Sequence, residues 1–190
     1  MSRGVKILLG FLAATLLLGA VAGGMLLLSL PKLGSALVSN ATDRANTQRI
    51  GALIGEYRLP PGYRELMALD LLGNRFLTIG PEDRHGIIIM LFQTTQARLD
   101  PKEVEQQFAT QFNEQASSTC SEFQQTAKET LAIAGKPTTF AISECERDGV
   151  RRREQAGVFE LRGHPTMLLA TGRVERWNSA ALHAFATSLR

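Results

Sequence analysis

The side chains best suited to chemistry are histidines, cysteines and carboxylates, and their spacing forms no known motif. The histidines are scattered over a strand entry, a turn and a helix, at His85, His164 and His183. Zinc motifs keep their ligands close in sequence. The fold could bring Asp70, Glu82 and Asp83 close to His85 and so form a metal or acid-base site, as it could with many other sets of residues. No nucleophile elbow, phosphate loop or dinucleotide-binding glycine pattern is present. We therefore assign no catalytic, cofactor-binding or metal-binding residue and no cofactor, which favours a non-catalytic role.

Two cysteines, Cys120 and Cys145, could form a disulfide if the domain lies in an oxidising compartment. We predict this bridge, which would stabilise the fold by about 3 kcal/mol in the chain-entropy model. Two buried free thiols are the alternative. The carboxylates on either side of Cys145 disfavour a reactive thiolate.

The densest group of charges surrounds Asp148-Gly149, a dipeptide typical of a two-residue type I′ hairpin turn. Such a turn places Arg147 opposite Val150, Glu146 opposite Arg151 and Glu144 opposite Arg153. Opposite charges across the strands explain the arginine run without a ligand. We predict a hairpin with an apolar base, formed by Phe140, Ile142, Phe159 and Leu161, and a charged tip projecting past the sheet. A candidate interaction tip for lipid headgroups or an acidic partner comprises Arg147, Arg151, Arg152 and Arg153, and a solvated hairpin end is the alternative.

The elements that would position these side chains are mainly strands. Alternating or continuous apolar patterns predict strands over 64–71, 75–79, 86–92, 129–134, 138–147, 150–162 and 166–175. The run 86–92 is apolar on both faces, so it should be a central strand. Turns are predicted at Gly135-Lys136-Pro137 and Gly163-His164-Pro165. The last four strands should therefore form a meander.

Two amphipathic helices should pack on this sheet. The first, over 101–116, has Asp100 as N-cap, Pro101 at its first position and an apolar stripe of Val104, Phe108 and Phe112. The second begins after the N-cap Asn178 and has an apolar face formed by Leu182, Phe185, Ala186 and Leu189. Trp177 is in a position to pack on Leu182, and a surface anchor is its alternative role.

Residues 7–30 contain no Asp, Glu, Lys or Arg, and about 20 apolar residues suffice to cross a bilayer. We predict a cytoplasmic tail over 1–6, a transmembrane anchor over 7–30, a juxtamembrane linker over 31–55 and an extracytoplasmic domain over 56–190. Arg3 and Lys6 beside the span favour a cytoplasmic amino terminus at the plasma or inner membrane. A cleaved signal is one alternative, since Ala20-Val21-Ala22 fits a cleavage site, and a core helix of a soluble protein is another, although such a helix is rarely hydrophobic all round. Gly19 and Gly23 have the spacing of a helix-pairing motif that could form a homodimer.

Charge argues against nucleic-acid binding. Of 21 Lys and Arg residues two lie in the tail, so the outer part of the chain carries 19 basic residues against 18 acidic ones and is almost neutral. A nucleic-acid footprint needs a basic surface of one sign.

The order of strands, helix, meander and closing helix resembles the PsbP-like family of α-β-α sandwich domains. The likeness includes the opening segment Leu59-Pro60-Pro61-Gly62-Tyr63 and the ending Ser188-Leu189-Arg190. It implies a non-catalytic extracytoplasmic protein that binds membrane complexes or assists their assembly, although the anchor departs from the usual soluble members. The expected fold is α+β: a transmembrane helix and one mostly antiparallel-sheet domain flanked by two helices. A membrane-anchored binding or assembly module with a membrane-complex partner is the expected function, with a lipid or small-molecule binder and a tethered hydrolase as alternatives.

Overall fold

The computed structural model describes residues 40–71, 73–83, 85–95 and 121–190, with the side chains of 121–123 left out of the description. These residues form an α+β fold, as predicted: a seven-stranded antiparallel sheet with helices on one face. The helices are α1, Arg44–Ile54, and α2, Ser179–Ser188. The predicted helix over 101–116 lies outside the described residues.

The strands follow one another in the sheet order β1-β2-β3-β7-β6-β5-β4. Their bounds are β1 Tyr63–Leu71, β2 Asn74–Pro81, β3 Ile88–Thr94, β4 Ser121–Ile133, β5 Lys136–Arg147, β6 Val150–Leu161 and β7 His164–Arg173. The predicted central strand is the interior strand β3. The prediction for β4 was too short, because Ser121 to Lys128 are mostly polar and two bulges interrupt the alternation on which a sequence reading depends.

Within the described residues, no helix has the length and apolar character that crossing a membrane requires. The predicted span over 7–30, with Gly19 and Gly23, lies outside the described residues. The anchor, its orientation and its pairing therefore stay predictions.

The meander is built from three two-residue turns. In each, both turn residues have positive φ: Ala134-Gly135, Asp148-Gly149 and Arg162-Gly163. The central turn confirms the predicted type I′ hairpin and its register, with Glu146 opposite Arg151 and Glu144 opposite Arg153. The outer two turns begin one residue earlier than predicted. A positive φ at Ala134 or Arg162 is uncommon for a non-glycine residue, so the sequence does not signal it.

The apolar base of the central hairpin is also confirmed. Phe140, Phe159 and Leu161 are buried in the core and Ile142 is half-buried. The tip, however, does not project as predicted. Neighbouring strands pair with the hairpin as far out as Glu146 and Arg152, so only the turn region extends beyond the sheet.

Helix α1 belongs to the folded domain, although the sequence analysis placed it in the linker. Its Asp43 N-cap accepts a hydrogen bond from the Asn46 amide at 2.9 Å. Ile50 and Ile54 are 1% and 0% exposed in the core under β1 and β2. The domain therefore begins before Glu56.

The carboxyl end of α1 is held by three side chains from the sheet. Arg162 donates to the Ala52 carbonyl at 2.8 Å, Arg75 to Leu53 at 3.0 Å and the Gln93 amide to Ile54 at 3.2 Å. These carbonyls have no partner within the helix, and positive charge is favourable at this end of the helix dipole. The sheet thereby fixes where α1 ends.

Helix α2 forms as predicted. Asn178 caps it by accepting a hydrogen bond from the Ala181 amide at 2.9 Å, and its predicted apolar face is buried. Trp177 packs partly buried against the core, in keeping with its predicted structural role.

Candidate functional site

An open groove of about 930 Å³ lies between the two helices, and it is the candidate site. One wall is α1 and the other is α2. The connector, residues 55–62, runs between them and leads into β1. Small or polar side chains line the walls, namely Gln48, Ala52, Ala184, Thr187 and Ser188. This volume falls within the range of roughly 300–1,000 Å³ that is usual for ligand pockets.

The floor of the groove is Tyr57. Its ring meets Phe185 edge-on, with centroids 5.5 Å apart, and its hydroxyl donates a hydrogen bond to the Glu65 carboxylate. Burial, then that hydrogen bond and the charge of Glu65, raise the pKa of Tyr57 well above its usual range. Gly51 of α1 makes room for this hydroxyl, because a Cβ there would overlap it. Tyr57 is therefore held in place by the Glu65 carboxylate on one side and the Phe185 ring on the other.

The connector is bonded to the second helix along its length. Glu56 and Arg190 exchange two main-chain hydrogen bonds of 2.9 and 3.0 Å, and the Arg58 amide donates to the Ser188 hydroxyl at 2.8 Å. On the other side, Arg162 lies 3.6 Å from the Glu56 carboxylate. The groove is thus preformed rather than assembled by a ligand.

The rim combines exposed apolar surface with unpaired positive charge. Leu59 is 39% exposed at the groove, and Leu53, the neighbour of groove-lining Ala52, is 38% exposed. The turn from Pro60 to Tyr63, closed by a main-chain hydrogen bond of 3.0 Å, displays Leu59. Among the described residues the side chains of Arg58 and Arg190 make no ion pair.

The predicted interaction tip is divided between the two faces of the sheet. Arg151 and Arg153 both bind Glu144, at 2.7 and 2.6 Å, on the face that carries the helices. The guanidinium of Arg153 also lies 5.6 Å from the ring centroid of Trp177. Arg147 and Arg152 lie on the other face, which follows from the alternation of side chains along a strand.

The predicted disulfide involves one described residue. Cys145 is 5% exposed on β5, and Cys120 lies outside the described residues. The main chain of Ser121, the residue after Cys120, pairs with Glu146, the residue after Cys145. This register is compatible with the bridge, which stays a prediction.

The three histidines belong to separate neighbourhoods. The ring of His85 contacts Arg176, and His183 lies 3.0 Å from Glu129, while His164 opens β7. Among the described residues no three His, Cys, Asp or Glu side chains are grouped so that they could hold a metal ion.

Sequence reasoning missed the groove. Its floor joins Tyr57 to Glu65 and to Phe185, residues that come together only through tertiary packing. The one local signal was the Leu-Pro-Pro-Gly-Tyr segment, which predicted a turn but not what the turn displays.

At the level of sequence, neither a protein-family model nor a curated protein matches the chain. Solved structures with a similar arrangement include PA94 from Pseudomonas aeruginosa, a protein of unknown function, at 10% identity, TM-score 0.34, 64% of this chain and 72% of that one. Another is LpqN of Mycobacterium tuberculosis, involved in cell envelope biogenesis, at 12% identity, TM-score 0.37, 69% of this chain and 79% of that one. The similarity is one of general architecture at TM-scores below 0.5, and the PsbP-like resemblance stays a prediction.

Proposed function

We propose that this chain is a membrane-anchored, extracytoplasmic interaction module that docks a protein partner of an envelope complex in the groove between α1 and α2. The observation that carries the proposal is Leu59, a large apolar side chain that is 39% exposed at the rim of the groove and directly precedes the Pro60–Tyr63 turn. Among the described residues, the two exposed large apolar side chains are Leu59, which lines the groove, and Leu53, whose neighbour Ala52 lines it.

The charges at the rim indicate the chemistry of the partner. Arg58 and Arg190 offer positive charge, whereas the carboxylates of the groove are engaged by Arg162 and by Tyr57. A segment with an apolar side chain flanked by Asp or Glu would complement this rim. Complementary charges would set the orientation of the partner and speed its association.

The predicted anchor supports the membrane part of the proposal. An apolar run over 7–30 would hold the domain at a bilayer, where its partners would be membrane-complex proteins.

The test uses the full chain in native membranes. Its variant is Leu59→Glu, and the matched control is Ala127→Glu, which adds the same charge at an exposed position of the edge strand β4. After crosslinking, membrane extraction and purification, the wild type and the control should retain a common membrane protein that Leu59→Glu loses. Equal retention by all three chains would exclude the groove as the docking site. Recovery of the chain without any membrane protein would exclude an interaction module.

A further inference from the structure

The face of the sheet opposite the helices carries a separate cluster of arginines at the end of the β5–β6 hairpin. Arg152 on β6 lies directly opposite Arg173 on β7, and Arg147 lies on the same face of β5. We name Arg147, Arg152 and Arg173 the arginine patch. Arg147 and Arg152 belong to the predicted interaction tip, whereas Arg173 joins them only through strand pairing.

The pairing of Arg152 with Arg173 is unfavourable by itself. Like charges directly opposite each other in an antiparallel pair repel. Arg173 is exposed and, among the described residues, forms no ion pair or side-chain hydrogen bond. On the opposite face of the same hairpin the arginines are neutralised, because Glu144 forms ion pairs with both Arg151 and Arg153.

A second observation indicates that Arg152 lacks a hydrogen-bond acceptor. Its Nε is buried and has no hydrogen-bond partner. A buried donor without an acceptor is unfavourable, because it has lost its hydrogen bonds to water and gained none in the protein. An oxyanion bound in the fork of the guanidinium would supply that acceptor, because arginine pairs with phosphate and carboxylate through two parallel N–H bonds.

Glu154, a described carboxylate on the same face, makes no ion pair with the arginine patch. Glu154 lies one step inward on β6, directly opposite Thr171, and no ion pair within 4 Å joins it to the described arginines. Burial raises the pKa of Glu154, and Arg152, the Thr171 hydroxyl and Arg147 offset only part of that rise. Arg147 is paired loosely, at 3.8 Å, with Asp148, whose side chain is 91% exposed.

We infer that the arginine patch binds a phosphate oxyanion, held between Arg152 and Arg173 with Arg147 beside them. A tetrahedral phosphate offers several acceptor oxygens, so it can bridge two guanidiniums that face each other across neighbouring strands. The phosphate is either free or that of an anionic lipid headgroup. This inference goes beyond the proposed docking groove and does not depend on it.

The test measures modification of individual arginines by phenylglyoxal, mapped by mass spectrometry, on the full chain in nanodiscs. One arm adds inorganic phosphate to phosphatidylcholine nanodiscs, and the other uses phosphatidylglycerol nanodiscs without phosphate. Chloride at equal ionic strength and acetate are the references. Ligand at ten times its Kd leaves about one site in ten free, so modification of Arg152 and Arg173 should slow about tenfold. Arg151 should be unaffected.

Variants complete the test. Arg173→Gln should abolish the protection of Arg152, and Arg151→Gln, on the opposite face, should preserve it. Protection in the first arm identifies free phosphate as a ligand, and protection in the second arm alone identifies the headgroup. The inference is overturned if neither arm protects Arg152, if acetate or chloride protects it equally, if Arg151 is protected to the same extent, or if Arg173→Gln retains the protection. Unchanged circular dichroism of each variant shows that it is folded.

Discussion

Glu144 and Glu154 lie on opposite faces of one hairpin and meet opposite surroundings. Glu144, on the helix-bearing face, binds Arg151 and Arg153, and the hydrogen bond from Arg153 is the largest cause that holds its pKa below the ordinary 4.5. Glu154, on the other face, is buried without a close ion pair, and its pKa is raised. The run Arg151-Arg152-Arg153 therefore contributes two arginines to an ion-pair cluster on one face and one to the arginine patch on the other.

The difference shows that charge content does not decide which arginines can bind a ligand. Arg151, Arg152 and Arg153 are consecutive, but alternation along the strand sends Arg152 to the opposite face from its neighbours. Those neighbours are already paired, so only the residue between them is available.

The most damaging change should be Phe140→Ala, which removes the apolar base of the hairpin on the face that carries the helices. Phe140 is 0% exposed and packs against Gly157, where a Cβ would lie 2.6 Å from the ring. We expect the free energy of unfolding to fall by about 3–5 kcal/mol, measured by chemical denaturation in detergent. Thr139→Ala, at the exposed neighbour, is the control, and an equal loss there would show that the base is not what supports the hairpin.

Glu144→Gln should disrupt the ion-pair cluster on the face that carries the helices. It removes the charge that Arg151 and Arg153 share, and we expect a loss of about 1–2 kcal/mol. Glu160→Gln is the matched control, because the exposed pair of Glu160 with Lys136 at 3.8 Å should contribute less than about 1 kcal/mol. Equal losses in the two variants would mean that the Glu144 cluster is no stronger than a surface pair.

The contributions of Glu144 and Glu154 to the free energy of unfolding should change in opposite directions as pH changes. For Glu144 the folded pKa is lowered, so its contribution to stability is present at neutral pH and lost as pH falls through the folded pKa. For Glu154 the folded pKa is raised, so its contribution is present in acid and lost as pH rises through the folded pKa. Relative to wild type, Glu144→Gln should therefore be weaker at neutral pH, and Glu154→Gln stronger, with both differences vanishing in acid. Differences of the same sign at neutral pH would refute the contrast.

The smallest change in stability is expected from a substitution in the arginine patch. In chloride buffer without phosphate, Arg173→Gln removes a like-charge pair and should raise the free energy of unfolding by about 0.2–1 kcal/mol. Arg64→Gln is the control, because Arg64 lies opposite Gly80 and has no arginine across from it. A loss of stability in Arg173→Gln would show that Arg173 is bonded internally.

Local signals made part of this fold predictable from sequence. Asp148-Gly149 determined the register of the central hairpin, because a two-residue turn of that type leaves one pairing. Asn178 and the apolar spacing that follows it predicted α2. Helix α1 was missed as part of the domain, because its buried residues include Thr47 and Gly51, which are not strongly apolar.

The arginine patch depends on the exact turn between β6 and β7, because that turn sets which residue of β7 faces Arg152. A turn at Gly163-His164-Pro165 was predicted, whereas the observed turn is Arg162-Gly163. A change of pairing by an odd number of residues moves every following side chain to the other face. Only the observed turn brings Arg173 opposite Arg152. The groove was beyond sequence reasoning for a different reason, since Tyr57, Glu65 and Phe185 come from three elements.

The most direct test of the proposed docking site is photo-crosslinking from position 59 of the full chain in native membranes. A photoreactive residue in place of Leu59 should form an adduct with one membrane protein, and the crosslinked peptide should contain an apolar side chain flanked by Asp or Glu. The same residue in place of Ala127 should form no such adduct. Adducts of equal yield from both positions, or none from position 59, would contradict the account.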